Sequence, residues 1–218
     1  MPAANLWPVH DDIPSDIAAI LDPFGNAVHC ALSFDVTAED VLVTGAGPIG
    51  IMAAAVCRFI GARHVVISDI NPYRLALAEK LGIRHTVNAT QQDFSQIMQS
   101  LNMSNGFDVA LEMSGSTEAF NALLDAMYHG GYVALLGFLP PQTEINWDTV
   151  IFKGLHLKGV YGREVFDTWY KMTQLLRSGL DISPIITHRY PVTEFEQAFE
   201  VVHSGECGKV ILDWEDRP

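Results

Sequence analysis

A glycine-rich run between an apolar strand and an apolar helix is the part of this sequence with the clearest chemical meaning. The apolar residues 41–43 predict a buried strand, and the apolar residues 51–60 predict a helix. Glycines between two such elements let the backbone turn tightly and let a pyrophosphate approach the amides at the helix N-terminus. The sequence therefore predicts a dinucleotide-binding site at the run Gly45-Ala46-Gly47-Pro48-Ile49-Gly50.

A carboxylate in the expected position strengthens this prediction. The second apolar strand, residues 65–67, leads to Asp69, which lies 19 residues after Gly50. An acidic side chain at this point accepts hydrogen bonds from the ribose hydroxyls of NAD, and its charge repels the 2′-phosphate of NADP. Arg74 is near enough to touch the adenosine ribose or to pair with Asp69, which leaves some room for NADP. The sequence thus favours NAD as the cofactor.

Three further strand ends carry glycine or polar residues. In an open parallel sheet the ligand lies outside the carboxyl ends of the strands, so these residues would come together around one cleft. The alternative is that the glycines only terminate strands. The predicted cleft residues at these ends are Ser114 with Gly115, Leu136-Gly137-Phe138 and Val160-Tyr161-Gly162.

The elements that must position these residues are predicted from an alternation of strands and helices that begins at Asp40. This alternation predicts an α/β fold, a doubly wound parallel sheet of the Rossmann type with helices on both faces. Upstream, residues 11–33 predict a helical region that breaks or restarts at Pro23 and Gly25. The predicted strands are 41–43, 65–67, 86–88, 107–113, 132–136, 155–161 and 208–214, with 185–190 extended. The predicted helices are 51–60, 72–81, 94–101, 118–127, 166–177 and 192–203.

The composition argues against several classes of protein. The 218 residues carry a formal net charge of −13, so binding to nucleic acid or to an anionic membrane surface is not expected. No uncharged apolar stretch reaches the roughly 18 residues of a membrane-spanning helix. The N-terminus does not resemble a signal peptide. The three cysteines are far apart and form no C-x-x-C pair, so a reducing cytoplasm is the expected location.

Apart from the predicted cofactor site, the sequence offers one acidic residue, Asp22, as a candidate catalytic group. No set of Cys, His, Asp and Glu has the spacing of a zinc site, the histidines are dispersed, and no G-x-S-x-G motif is present. Asp22 lies between two apolar pieces, just before the predicted restart of the helix. The residues alone favour a helix N-cap, where Asp is common, over a catalytic acid.

Several longer motifs resemble the L-threonine 3-dehydrogenases, a family of the zinc-dependent medium-chain dehydrogenase superfamily. The glycine run is shared across the superfamily, whereas the other motifs are narrower. The resemblance extends over essentially the whole chain. The narrower motifs are Asp22-Pro23-Phe24-Gly25-Asn26-Ala27-Val28-His29, Leu111-Glu112-Met113-Ser114-Gly115, Val150-Ile151-Phe152-Lys153-Gly154, Tyr161-Gly162-Arg163-Glu164 and Ser183-Pro184-Ile185-Ile186-Thr187-His188-Arg189.

The resemblance implies an oxidoreductase that converts L-threonine and NAD to 2-amino-3-ketobutyrate and NADH, with zinc in the complete enzyme. It also implies that Asp22 belongs to a proton relay or lies next to the zinc. The resemblance further implies a homotetramer for the complete enzyme, as in other members of the family. A dimer is expected of this chain if the sheet edge at residues 155–161 keeps its contact. The NAD contacts that the resemblance implies are Ile49, Asp69, Arg74, Leu136-Gly137-Phe138 and Val160-Tyr161.

One departure from the family changes the expectation. Family members carry a further N-terminal segment that contains the zinc ligands, and we therefore expect this chain to be the cofactor-binding part. Residues 1–24 would lead out of the catalytic domain, 25–182 would form the NAD-binding domain, and 183–218 would return to the catalytic domain. Such a chain is expected to bind NAD without oxidising threonine. Two alternatives stay open: a zinc-free medium-chain NAD(P)-dependent reductase, and a non-catalytic NAD-binding or oligomerisation module.

Overall fold

The computed structural model describes residues 2–214, and these residues form eight strands and nine α-helices. The strands are β1 (Asp40–Thr44), β2 (His64–Asp69), β3 (His85–Asn88), β4 (Phe107–Glu112), β5 (Met127–Leu135), β6 (His156–Gly159), β7 (Ile186–Pro191) and β8 (Lys209–Asp213). The helices are α1 (Ser15–Ala19), α2 (Leu21–Ala31), α3 (Pro48–Phe59), α4 (Pro72–Lys80), α5 (Phe94–Ser100), α6 (Thr117–Ala126), α7 (Trp147–Lys153), α8 (Asp167–Arg177) and α9 (Phe195–Ser204).

Six strands form one sheet in the order β3-β2-β1-β4-β5-β6, and each strand is parallel to its neighbours. This is the strand order of the Rossmann fold. The order reverses between β1 and β4, which are adjacent in the sheet although two strands separate them in the chain. The crevice at such a reversal is where open α/β sheets bind ligands. The glycine run follows β1 and therefore lies at this point.

The central strands of the sheet are buried because helices cover both of its faces. All five residues of β1 are buried, as expected for an apolar run in the middle of a parallel sheet. One hydrophobic cluster packs α2, α3 and α4 against the sheet, and a second cluster packs α5 and α6 against its other face. The predicted doubly wound α/β fold is confirmed. Among the described helices, none is both long enough and apolar enough to cross a membrane.

The N-terminal helices differ from the prediction. The break lies at Ile20, between α1 and α2, and the predicted break at Pro23 and Gly25 is wrong. Pro23 is in the first turn of α2, where its missing N–H would have no partner in the helix. Gly25 lies within α2, and a Cβ there would be 2.9 Å from Cδ of Arg163. The glycine therefore makes room for an arginine rather than ending a helix.

The connection between β5 and β6 contains a helix, α7, that the sequence did not predict. Lys153, at its last position, donates hydrogen bonds from Nζ to the backbone carbonyls of Leu124, Asp125 and Met127, at 3.3, 2.6 and 2.9 Å. These carbonyls lie at the end of α6 and the start of β5, where carbonyl groups lack intrahelical partners. One side chain thus ties α7 to the preceding helix.

The C-terminal residues form a second, smaller sheet. β7 and β8 pair in parallel, and α9 connects them. α9 begins at Phe195, after a 3-10 turn at Val192–Glu194, three residues later than predicted. Ile185 and Ile186 join the same hydrophobic cluster as β1 and α3, so this segment packs on the larger sheet's helices. The predicted strand over 208–214 is observed as β8.

Candidate functional site

The turn from β1 into α3, residues 45–47, is closed towards the protein and open on its outer side. Gly45 has φ +94°, and a Cβ there would lie 2.7 Å from the backbone of Ser114. A Cβ at Gly50 would overlap the carbonyl oxygen of Gly45, so glycine is required for this turn. In contrast, no atom lies within 4 Å of the Cβ position at Gly47. An anion can therefore approach the first turn of α3, where amides lack backbone acceptors.

Asp69, the last residue of β2, fixes this turn. Its Oδ2 accepts a hydrogen bond from the Ala46 amide at 2.7 Å, and its Oδ1 accepts one from the Asn71 amide at 2.9 Å. The side chain is only 8% exposed, and Nη1 of Arg74 lies 3.9 Å from Oδ2. Each carboxylate oxygen can accept a second hydrogen bond. Asp69 therefore supports the turn and still has acceptor capacity for a ligand hydroxyl.

Arg74 has an unmet hydrogen-bonding group beside this carboxylate. Its Nε is buried and has no hydrogen-bond partner among the described residues. Asn71 provides the N-cap of α4 by accepting from the amides of Tyr73 and Arg74, which fixes the direction in which α4 leaves β2. Arg74 therefore lies next to Asp69. Pairing with Asp69 is one of the two arrangements that the sequence predicted for Arg74.

The main cleft, with a volume of about 770 Å³, lies outside the carboxyl ends of the strands at the middle and one side of the sheet. It brings together residues that follow β1, β4, β5 and β6. Two aromatic side chains of this set, Phe138 and Tyr161, are more than 80% exposed. The predicted site residues that line the main cleft are Asp22, Ile49, Ser114, Gly115, Leu136, Gly137, Phe138, Val160, Tyr161 and Gly162.

The remaining predicted residues do not line the main cleft. Gly45, Gly47, Pro48 and Gly50 lie at the turn into α3 and in its first residues, while Asp69 ends β2 and Arg74 lies in the first turn of α4. A side groove of about 580 Å³ lies next to that end, between α5 and α6. Its lining includes Ile70, whose side chain is 68% exposed. The site thus consists of a cleft and a groove on either side of the β1–α3 turn.

Asp22 is not a helix N-cap. It is the second residue of α2, and its carboxylate accepts a hydrogen bond from Nη1 of Arg163 within an ion pair. Arg163 packs over Gly25, and its guanidinium lies 5.3 Å from the ring centre of Trp169. The Asp22 carboxylate is 64% exposed and lines the main cleft. Asp22 is therefore available to a ligand in the cleft. Its pairing with Arg163 was not predicted from the sequence.

His29 fixes the loop that carries Arg163. Its Nδ1 is 3.0 Å from the carbonyl oxygen of Gly162, and its Nε2 is 3.9 Å from a carboxylate oxygen of Glu164. His29 belongs to α2, so one helix holds both Asp22 and the loop opposite it. The wall of the cleft at residues 160–165 is consequently attached to α2 through a side chain.

Glu112, the last residue of β4, is a functional candidate that sequence reasoning missed. Its side chain is fully buried, and Oε1 accepts hydrogen bonds from the amides of Ser114 and Gly115 at 2.9 and 3.0 Å. Its backbone carbonyl accepts from the amides of Leu136 and Gly137. Oε2 has no partner among the described residues. Glu112 therefore fixes two loops of the main cleft. The sequence feature that could have indicated it is an acidic residue at the end of an apolar strand.

The segment that begins at α3 and contains Asp69 and much of the main cleft matches a known family. A family model described as zinc-binding dehydrogenase matches residues 48–178, which is more than half of the chain.

The chain belongs to the zinc-binding dehydrogenase family.

Similar proteins agree with this assignment. The chain is 61% identical over 214 residues to an L-threonine 3-dehydrogenase from Chromobacterium violaceum, which covers 98% of this chain and 63% of the relative. It is 58% identical over 215 residues to an L-threonine 3-dehydrogenase from Proteus mirabilis, which covers 99% of this chain and 63% of the relative. The predicted resemblance is confirmed. The chain spans 63% of the length of these curated relatives.

A solved structure of a relative supports the fold. A short chain alcohol dehydrogenase from Escherichia coli CFT073, complexed with cofactor NADH, superposes with a TM-score of 0.86. The match covers 98% of this chain and 64% of that chain, at 20% sequence identity. At this identity the similarity establishes the fold alone.

For a zinc-binding dehydrogenase, the position of a metal ion must be considered. Within residues 2–214, no group of three or more His, Cys, Asp or Glu side chains is arranged to hold a metal ion. Asp22 lines the main cleft, but its carboxylate is paired with Arg163. The described residues therefore do not fit a zinc site, and no step through zinc is derived from them.

Proposed function

We propose that this chain is the NAD-binding part of an L-threonine 3-dehydrogenase. The observation that carries the proposal is the β1–α3 turn, which Asp69 holds through the Ala46 amide and which is open at Gly47. Two relatives, 61% and 58% identical, are named L-threonine 3-dehydrogenase, so we propose L-threonine as the substrate; oxidation at its carbon 3 would give 2-amino-3-ketobutyrate. As an oxidoreductase, such an enzyme would pass a hydride from its substrate to the nicotinamide of bound NAD.

The chain's own residues would hold the cofactor in three places. The amides at the start of α3 would receive the pyrophosphate, with Gly47 leaving the space for its approach. Asp69 would accept from ribose hydroxyls, and Arg74 would use its unpartnered Nε nearby. The main cleft would take the nicotinamide between the residues that follow β1, β4, β5 and β6, and the side groove at Ile70 would take the adenine.

Asp22 is the residue that we assign to substrate chemistry. Its exposed carboxylate lines the main cleft beside Arg163, where it can accept a hydrogen bond from a ligand. We propose that the chain alone does not oxidise threonine, because residues 2–214 include no group of side chains that could hold a metal ion to activate the substrate hydroxyl. Incubation with L-threonine, NAD and zinc should then give no absorbance of NADH at about 340 nm, and steady NADH formation would contradict this part of the proposal.

The edge of the sheet supports a further proposal, that the chain self-associates. β6 lies at the edge of the six-stranded sheet, and an exposed edge strand can pair with a second chain. We propose a homo-oligomer that uses this edge, a cytoplasmic location, and the division into residues 1–24, 25–182 and 183–218. Light scattering should give twice the 24.0 kDa of one chain, and a monomer would oppose the edge contact. A dimer without NAD binding would favour the assembly module over the cofactor-binding part.

Calorimetric titration tests the cofactor assignment. NAD should bind with 1:1 stoichiometry, whereas NADP should bind at least about tenfold more weakly because Asp69 would face its 2′-phosphate. The zinc-free reductase alternative predicts the opposite preference if it uses NADP. Absence of NAD binding at millimolar concentration would contradict the proposal.

A further inference from the structure

A basic pocket of about 400 Å³ lies at the amino end of the sheet. It is lined by Arg58 from the end of α3, by Arg63 and His64 at the start of β2, and by Arg84 and His85 at the start of β3. The residues that line it in the described structure include no Asp and no Glu. The whole chain has a net charge of −13, so this pocket is a local reversal of charge.

The basic pocket is separate from the proposed cofactor site. His64 begins β2 and Asp69 ends it, so the two sites are about 16 Å apart along the strand at the usual rise per residue. The turn into α3 lies at the carboxyl end of the sheet, whereas Arg58 lies in the last turn of the same helix. A ligand at one site would not touch the other.

Two of the three arginines have charge available for a ligand. The guanidinium of Arg63 is paired with Asp40. Arg58 and Arg84 are exposed, and neither forms a salt bridge with a carboxylate within residues 2–214. The helix dipole explains a cation in the last turn of α3. It does not explain Arg84, which directly precedes a strand on the other side of the pocket.

Two imidazoles line the same pocket as these cations. The rings of His64 and His85 meet edge to face, with centroids 5.6 Å apart. Burial lowers the pKa of His85, and the neighbouring His64 and Arg84 lower it further. A neutral imidazole still presents one N–H donor. The pocket therefore combines two uncompensated positive charges with two additional donors.

We propose that the basic pocket binds an oxyanion of the phosphate class with at least two negative charges. A guanidinium presents paired N–H donors whose planar geometry matches two oxygens of a phosphate group. Arg58 and Arg84 would supply these donors, and the imidazoles of His64 and His85, which line the same pocket, would donate as well. The volume admits a phosphate group that carries a small substituent.

Inorganic pyrophosphate is the probe, and its site is located by the ring signals of the histidines in NMR spectra of the whole chain. The ring signals of His64 and His85 should move together and saturate, while those of His188, in β7, should remain unchanged. Arg58→Gln combined with Arg84→Gln should weaken pyrophosphate binding at these signals by at least about tenfold. Both side chains are exposed, so this variant should keep the wild-type melting temperature.

The matched control combines Lys171→Gln with Arg177→Gln, which changes the net charge equally on α8. It should bind pyrophosphate like the wild type at His64 and His85. Equal affinity of all three proteins at these signals would overturn the proposal, as would pyrophosphate that leaves both rings unmoved. Shifts confined to the amides at the start of α3 would also overturn it, because they would place the anion only at the proposed cofactor site.

Discussion

Replacing Asp69 with Asn tests the role of this carboxylate in the fold and in the site together. In the folded chain its two oxygens accept from the Ala46 and Asn71 amides, at 2.7 and 2.9 Å. Asn has one acceptor oxygen, so its NH₂ group must face one of these N–H groups. Because Ala46 is fully buried, water does not readily replace the lost partner. A hydrogen bond to a charged group contributes about 1.5–3 kcal/mol, so the free energy of unfolding should fall by about that amount.

For a chain of this size, that loss corresponds to a fall in melting temperature of about 3–12 °C. Asp35→Asn is the control, because Asp35 also accepts a backbone amide, that of Thr37 at 2.9 Å, but in an exposed turn. It should change the free energy of unfolding by no more than about 0.5 kcal/mol. Urea denaturation of both variants measures the difference. Equal midpoints for Asp69→Asn and wild type would refute the supporting role, whatever happens to NAD affinity.

Two further predictions concern the turn and a helix connection. Gly50→Ala should abolish detectable NAD binding in calorimetry, because the added methyl group would overlap the Gly45 carbonyl oxygen. The control Gly47→Ala should fold like the wild type, because no atom lies within 4 Å of the Cβ position there. Binding by Gly50→Ala at wild-type affinity would contradict the fit of this turn. Lys153→Met should lower the free energy of unfolding in urea by about 1–3 kcal/mol, because three backbone carbonyls lose a charged donor. An unchanged urea midpoint would show that water satisfies these carbonyls.

The periodic parts of the sequence predicted the fold well, and the exceptions have identifiable causes. β1 and α3 were predicted because an apolar run and a glycine turn are local signals. α7 was missed because it has seven residues, none of them buried, and owes part of its anchoring to Lys153, which reaches residues of another element. The predicted break at Gly25 failed because the space that glycine leaves is filled by Arg163, a residue distant in the chain.

The candidate site shows the same division between local and distant signals. Asp69 was predicted from its place after a strand, but its bond to the Ala46 amide depends on how two strands lie side by side. The partner of Asp22, Arg163, comes from a loop 141 residues away in the chain. Glu112 was overlooked because its hydrogen bonds are to backbone groups of its own loop and the next. Sequence spacing therefore indicated candidate binding groups but not the contacts that orient them.

The most direct test of the central claim is to map NAD onto the chain by amide chemical shifts. A 24.0 kDa protein is accessible to such spectra with isotope labelling. We predict saturable shifts at the amides of Ala46, Gly47 and Ile49 and at residues next to Asp69, with smaller shifts at Phe138. The residues of the basic pocket should show no such shifts. Saturating NAD that leaves the amides of the β1–α3 turn unmoved would contradict the proposal that this chain is a cofactor-binding part of a dehydrogenase.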